Sequence, residues 1–308
     1  MKIAVTGASG FVGRAVCAEV LHKGHIAIPL VRRPAGFANE VVIGDISREA
    51  SPQVDADAVI HLAARAHVMN DDPATAEQAY MEANVEGTRH AIDMAKAGGA
   101  RRFVFVSSIK ALGERSQPGK PLTERGTPAP EDAYGRSKLA AERLAQDMTS
   151  RLGMELVIVR PPLVYGPGVK GNFATLIRLS CLGLPLPIGS INNQRSMISL
   201  ANLANLLVHV AVHPAAAGRT ILASDLHDVS TPELVRAIAD AAKRKAHIVP
   251  FPLGPMSFLA GMLGKGDMFS RLAGNLQVDG RGTLNELEWV PAQTVEDGIR
   301  STIQAFKS

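Results

Sequence analysis

Lys2-Ile3-Ala4-Val5-Thr6-Gly7-Ala8-Ser9-Gly10-Phe11-Val12-Gly13 opens the chain. Its first residues are a short apolar run containing β-branched side chains, the pattern of a strand buried on both faces. Glycines at positions 7, 10 and 13 follow at once, and a helical pattern runs on to residue 22. Strand, glycine turn and helix in that order form a phosphate cradle. Glycine lets backbone amides approach a pyrophosphate, and the helix N-terminus adds N–H donors and a partial positive charge. Gly7, Gly10, Phe11, Val12 and Gly13 are therefore expected to hold a dinucleotide, although the spacing is GxxGxxG rather than the GxGxxG of most dinucleotide dehydrogenases.

Outward from this turn, apolar runs at 26–31, 40–43, 58–62, 102–107 and 156–160 read as further strands. Helical segments near 11–22, 77–97 and 133–151 alternate with them. Such alternation predicts a doubly wound parallel sheet with right-handed crossovers and ligands at the carboxyl ends of its strands. After Pro161-Pro162 the sequence is rich in turns, with a helix expected near 201–212, a strand at 219–223 that rejoins the sheet, and a helix opening at Thr231-Pro232-Glu233. The fold class is α/β: a Rossmann-like dinucleotide-binding domain from residues 1–165 plus about 200–225, with a smaller interleaved substrate lobe from about 166–199 and 226–308.

Composition agrees with a globular protein. Of 308 residues, 46% are hydrophobic, enough to build a packed core. Lys and Arg number 33 against 29 Asp and Glu, giving a formal charge of +4 with no long basic run, so a nucleic-acid partner is not expected. Two cysteines, Cys17 and Cys181, make neither a disulfide framework nor a four-thiolate zinc site, and a cytoplasmic location is expected. The opening strand is not a signal peptide, and the apolar stretch 251–264 is too short and too broken by proline and glycine to cross a bilayer. That stretch reads as a lid or packing helix, with a peripheral membrane contact as the alternative.

The second strand continues into Arg32-Arg33 where an NAD site usually carries Asp or Glu for the ribose 2′-hydroxyl. A guanidinium fork grips a 2′-phosphate instead, so NADP is favoured over NAD. Asp45 and Ile46, after the third strand, are expected beside the adenine.

Tyr134-Gly135-Arg136-Ser137-Lys138 places a phenol and an amine one helical turn apart on one face. A nearby ammonium is expected to lower the phenol's pKa from roughly 10, making it a usable proton donor and acceptor. Ser108, at the end of the fifth strand and 26 positions before the tyrosine, is expected to bind a substrate carbonyl oxygen.

With these motifs in place the chain resembles the extended short-chain dehydrogenase/reductase family, in particular its UDP-glucose 4-epimerase-like epimerases, dehydratases and reductases of nucleotide sugars. The likeness runs through Val59-Ile60-His61-Leu62-Ala63-Ala64, Asn84-Val85-Glu86-Gly87-Thr88 and Pro121-Leu122-Thr123-Glu124. It continues in Arg160-Pro161-Pro162-Leu163-Val164-Tyr165-Gly166-Pro167, Gly171-Asn172-Phe173, Arg195-Ser196-Met197-Ile198 and Glu286-Leu287-Glu288-Trp289. The resemblance implies Tyr134 as acid/base, Lys138 on the nicotinamide ribose and Ser108 on the sugar O4. It implies His61, Leu62, Ala63, Ala64 and Pro161 around the cofactor, and Asn172 and Arg195 on the UDP group. Arg271 reads either as a further diphosphate ligand or as a surface ion pair. A homodimer through the two long helices of the Rossmann domain is also implied.

Departures from the family pattern narrow the chemistry. Dehydratases of the family carry an Asp-Glu pair after the strand-end hydroxyl, and 3,5-epimerase-reductases a cysteine. This chain has Ile109 and Lys110 there. A reductase of UDP-4-keto-6-deoxy-N-acetylhexosamines in surface-polysaccharide synthesis is the favoured expectation. A UDP-hexose 4-epimerase is the alternative, and a non-catalytic NAD(P)-sensing regulator a more distant one. His209 and His213 read as a helix-surface pair, and Trp289 and Cys17 as core residues.

Overall fold

The computed structural model describes residues 1–48, 52–66, 73–262, 264 and 266–307. In chain order the strands are β1 (Lys2–Thr6), β2 (Ile26–Val31), β3 (Val41–Val42), β4 (Ala58–His61), β5 (Arg102–Val106), β6 (Leu122–Thr123), β7 (Glu155–Arg160), β8 (Leu163–Tyr165), β9 (Met197–Ser199), β10 (Thr220–Leu222) and β11 (Val278–Asp279). The helices are α1 (Phe11–His22), α2 (Pro73–Met81), α3 (Gly87–Ala97), α4 (Ala133–Leu152), α5 (Gly171–Cys181), α6 (Leu200–Val212), α7 (Thr231–Ala241), α8 (Leu253–Met262), α9 (Gly266–Ala273), α10 (Arg281–Glu286) and α11 (Val295–Lys307).

Among the described residues, seven strands form one parallel sheet in the order β10-β7-β5-β4-β1-β2-β3. The period-two geometry of its strands sorts their apolar side chains onto two faces. Ile3, Val5, Ile60, Val104 and Val157 pack against Val16 and Val20 of α1 and Leu203 and Leu207 of α6. Ala4, Val59, Phe103, Phe105 and Ile158 pack against Ala91 and Ile92 of α3 and Ala141 and Ala145 of α4. Continuous apolar runs were needed because both faces are covered, and the result is a Rossmann-like three-layer core.

Beyond Pro162 the chain adds short pieces. β8 pairs with β9, and β6 pairs with β11. Tyr165, Phe173 and Ile177 form a second core with Leu234 and Ile238 of α7 and Ile299 and Ile303 of α11. Ser230 caps α7 in a reciprocal capping box with Glu233, and Thr231 and Pro232 lie inside the first turn. The predicted strand at 219–223 is present as β10 and joins β7.

Three expectations are corrected. The strand read at 40–43 shrinks to Val41–Val42, an edge strand paired only with β2. The helix read at 77–97 is interrupted by a π-helical turn, Glu82–Glu86. The stretch 251–264 does form a helix, α8, but none of its described residues is buried, so it is not a packing helix; Leu263 lies outside the described residues. Trp289 and Cys17 are buried as expected, with the Trp289 indole N–H donating to Asn205 at 2.9 Å.

Candidate active site

The sheet reverses its order at β1. The chain steps outward through β2 and β3, then returns to the other side of β1 with β4, β5, β7 and β10. Such a switch point opens a crevice at the strands' carboxyl ends. The glycine turn lies there. The Gly10 amide donates to the Gly7 carbonyl at 2.9 Å, and Gly10 caps α1, whose first turn holds no acidic side chain. A Cβ on Gly13 would stand 2.2 Å from the Gly7 carbonyl oxygen and 2.7 Å from the Ala8 Cα, so helix and turn meet backbone to backbone. This is a cradle that a pyrophosphate fits.

Arg32 and Arg33 are exposed directly after β2 and take part in no ion pair among the described residues. Asp45 is turned partly inward. Its Oδ1 accepts from the Ser47 amide at 3.1 Å and the Ser47 hydroxyl at 2.7 Å, and the Ser47 hydroxyl is the main reason its carboxyl sits below the usual range. Ile46 is buried, its carbonyl accepting from His90 Nδ1 at 2.7 Å.

A hydrogen-bond chain fixes the loop after β4. Thr6 Oγ1 accepts from the amides of Leu62 and Ala63, both at 3.1 Å, and lies 2.8 Å from His61 Nδ1. With both lone pairs engaged, the Thr6 hydroxyl must donate to Nδ1. Thr88 Oγ1 donates to the Asn84 carbonyl at 2.6 Å and so accepts from His61 Nε2 at 3.3 Å. These roles assign a neutral His61 protonated on Nε2. Burial first, and the Lys138 charge second, push its pKa down to about 3, in agreement. Ala63 is half-buried and Ala64 exposed beyond it.

Ser108, Tyr134 and Lys138 converge beside this loop. Ser108 lies two residues past β5 and caps the short turn Ile109–Ala111. Asp132 caps α4 through the Gly135 amide at 2.7 Å, which starts the helix one residue before Tyr134. A Cβ at Gly135 would stand 2.5 Å from the Lys110 carbonyl oxygen. The glycine thus lets α4 press onto the Ser108 turn, and the Ser108 hydroxyl hydrogen-bonds the Tyr134 phenol. Lys138, one turn on, is 2% exposed, with Nζ 4.2 Å from the centre of the Phe105 ring.

The charge states differ from the sequence reading. Burial pushes the Tyr134 phenol up to about 12, against a smaller opposing pull from Ser108, and Asp132 and Tyr80 raise it further. Burial likewise pushes Lys138 down to about 7, against Glu142. The expected lowering of the phenol by the amine is absent, because taking both groups out of water disfavours phenolate and ammonium alike. Glu142 is itself buried in a two-point ion pair with Arg160, at 2.9 and 2.6 Å.

Arg195 and Arg271 line one cavity of about 170 Å³ with Glu114 and Asp132, and neither Ser108 nor Tyr134 lines it. Arg195 Nη1 donates to the carbonyls of Arg271 at 2.6 Å and Gly274 at 3.0 Å. Burial and then the Arg271 charge lower the Arg195 pKa. Arg271 also lies 4.0 Å from Glu114, the ion pair that one of its two sequence readings expected. Asn172, exposed in the first turn of α5, does not line this cavity. Pro161 is buried, its carbonyl accepting from the Ile109 amide at 2.9 Å. His209 and His213 stack at 4.9 Å, and His209 Nε2 donates to the Leu287 carbonyl.

Sequence reasoning missed the charges around the cavity. Lys110 Nζ reaches Glu114, four residues on, at 3.1 Å and also pairs with Asp132, joining two segments. The one available signal was Asp132 as a capping residue two positions before the tyrosine. Asn84 was read only as part of the resemblance. In the π turn its side chain accepts from the Arg65 amide at 2.7 Å and donates to the Arg65 carbonyl at 3.2 Å and to Ser137 Oγ at 2.9 Å.

A glycine cradle at a switch point with a Ser–Tyr–Lys cluster beside it defines a nicotinamide-dependent oxidoreductase. A model of the NAD dependent epimerase/dehydratase family matches residues 3–223, and the chain belongs to that family. It is 42% identical to a UDP-glucose 4-epimerase of Vibrio cholerae over 99% of this chain and 95% of that protein. It is 29% identical to a GDP-6-deoxy-D-mannose reductase of Pseudomonas aeruginosa over 82% of this chain and 83% of the relative. Among solved structures, RMD from Pseudomonas aeruginosa complexed with NADPH superposes with a TM-score of 0.77 at 22% identity, with full coverage of both chains, a likeness of fold. The protein is thus an NAD(P)-dependent enzyme of the nucleotide-sugar epimerase and reductase family.

Proposed function

We propose that the enzyme is an NADPH-dependent reductase acting at C4 of a UDP-4-keto-6-deoxy-N-acetylhexosamine in the synthesis of surface-polysaccharide precursors. The observation that carries the reading is the end of β2, where two exposed guanidiniums stand in place of a carboxylate. They suit a 2′-phosphate and so a cofactor exchanged in its reduced form.

When bound, the reduced nicotinamide supplies the hydride. Ser108 would hold the ketone oxygen, and Tyr134 would give its phenolic proton to that oxygen as the alcohol forms. A phenol held near 12 is protonated at neutral pH, the starting state for a reduction. Lys138 would bind the nicotinamide ribose and return a proton to the phenolate. Gly7, Gly10, Phe11, Val12 and Gly13 would cradle the pyrophosphate, with Asp45 and Ile46 at the adenine and Leu62, Ala63, Ala64 and Pro161 along the cofactor. Arg195, Arg271 and Asn172 would take the UDP group. A homodimer would form through α3 and α4, and a hydrodynamic mass of one chain would remove that element.

The name of the Vibrio cholerae relative favours a second reading, a UDP-glucose 4-epimerase. One pair of assays separates the two. The purified enzyme is given a UDP-4-keto-6-deoxy sugar with NADPH or NADH, and separately UDP-galactose and UDP-N-acetylgalactosamine without added cofactor. Ketone-dependent oxidation of NADPH in preference to NADH is expected, and efficient cofactor-free epimerisation would sink the reductase reading.

A further inference from the structure

α8 is an apolar helix that touches α9 and has no buried residue among those described. Phe258 is 71% exposed, Leu259 57% and Met262 72%. The exposed apolar surface extends through Val249, Phe251 and Leu253. It also reaches the neighbouring segment at Leu184, because the Leu186 amide donates to the His247 carbonyl at 2.7 Å and the Val249 amide to the Leu186 carbonyl at 3.0 Å. A contiguous patch of this kind marks an interaction surface.

The charge around the patch identifies the partner. Between Asp240 and Asp267 the sequence holds no carboxylate and four cations, Lys243, Arg244, Lys245 and Lys265. That equals the formal +4 of the whole chain. Lys243, Arg244 and Lys245 are exposed and form no ion pair among the described residues. A second copy docking here through a two-fold axis would bring two such cationic fringes together, which repel. Apolar side chains with cations close by in the chain and no carboxylate among them instead match a surface with an apolar interior and anionic headgroups. α8 has 10 residues, about 15 Å at 1.5 Å per residue, far too short to span a bilayer, so it would lie in the plane of the interface.

We propose that α8 and the 249–253 segment dock the enzyme on an anionic phospholipid surface. α9 follows α8 directly and carries Arg271, one of the residues that line the cavity with Arg195.

The test is flotation of the full chain with phosphatidylcholine vesicles, with and without phosphatidylglycerol. The wild type is expected to float only with phosphatidylglycerol and to be released by salt. Lys243→Glu/Arg244→Glu/Lys245→Glu is expected to weaken partitioning roughly 100-fold or more, at about fivefold per lost cation. Phe258→Ser/Leu259→Ser/Met262→Ser is expected to stop floating while keeping its nicotinamide-dependent turnover in vesicle-free buffer. Absence of wild-type flotation on anionic vesicles, or flotation of the serine variant equal to wild type, overturns the proposal. So does a serine variant that is a monomer by light scattering where the wild type is a dimer, since the patch would then be a contact between copies. Loss of turnover by the folded serine variant in vesicle-free buffer overturns it as well, by showing that α8 closes on substrate.

Discussion

Replacing Lys138 with methionine is expected to make the protein more stable and inactive at once. Lys138 is buried, and its pKa falls from 10.5 to about 7 in the fold. Between those values the unfolded chain binds more protons than the native one, so stability rises with pH from about 7 towards 10.5. At pH 7 the shift disfavours the fold by about 4 kcal/mol, at 1.36 kcal/mol per unit, and at pH 9 by about 2. Methionine keeps the length of the side chain and removes the charge. Against this gain stands the loss of the ammonium over the Phe105 ring, about 0.5–2 kcal/mol. The Lys138→Met variant should therefore be more stable by about 2–4 kcal/mol in urea unfolding at pH 7 without nucleotide. The gap should narrow by about 2 kcal/mol at pH 9 because only the wild type gains. Stability that tracks pH in parallel for the two proteins would refute the reasoning, for the buried amine would then carry no strain.

Three further outcomes follow from the same geometry. Tyr134→Phe should leave the urea midpoint nearly unchanged while ketone-dependent cofactor oxidation falls by roughly 10²–10⁴, the usual share of a positioned proton donor; full turnover would remove the phenol from the chemistry. Gly13→Ala pushes a methyl into the Gly7 carbonyl and should abolish nucleotide binding in calorimetric titration, with about 1–3 kcal/mol of added strain in the empty protein. Glu142→Gln leaves Arg160 buried without its carboxylate and should cost about 3–5 kcal/mol in urea unfolding, while Glu142→Leu combined with Arg160→Met should recover most of it.

The sequence was legible where one period dominated. β1, β2 and α1 begin and end where apolar alternation and the glycine turn predict. β3 was over-read because the apolar run at its flanks has no second neighbour to extend the ladder. The π turn was illegible, since it changes the angular position of Asn84 without changing residue type. Of the site, Ser108, Tyr134 and Lys138 could be placed from spacing alone, and the structure brings them together. Their charges could not be read that way. The Tyr134–Lys138 spacing suggests mutual stabilisation, but burial acts on each group separately and dominates both. The contacts of Lys110 with Asp132 and of Glu114 with Arg271 were equally hidden, as they join segments separated in the chain.

Asn84 has a mechanical consequence. A single primary amide clasps the main chain at Arg65 on one side and the hydroxyl of Ser137 on the other. The loop after β4 and the helix bearing the phenol are therefore indexed to one another like two parts on a common dowel. A shift of either, on binding a sugar or releasing a spent coenzyme, must carry its counterpart along or break that clasp.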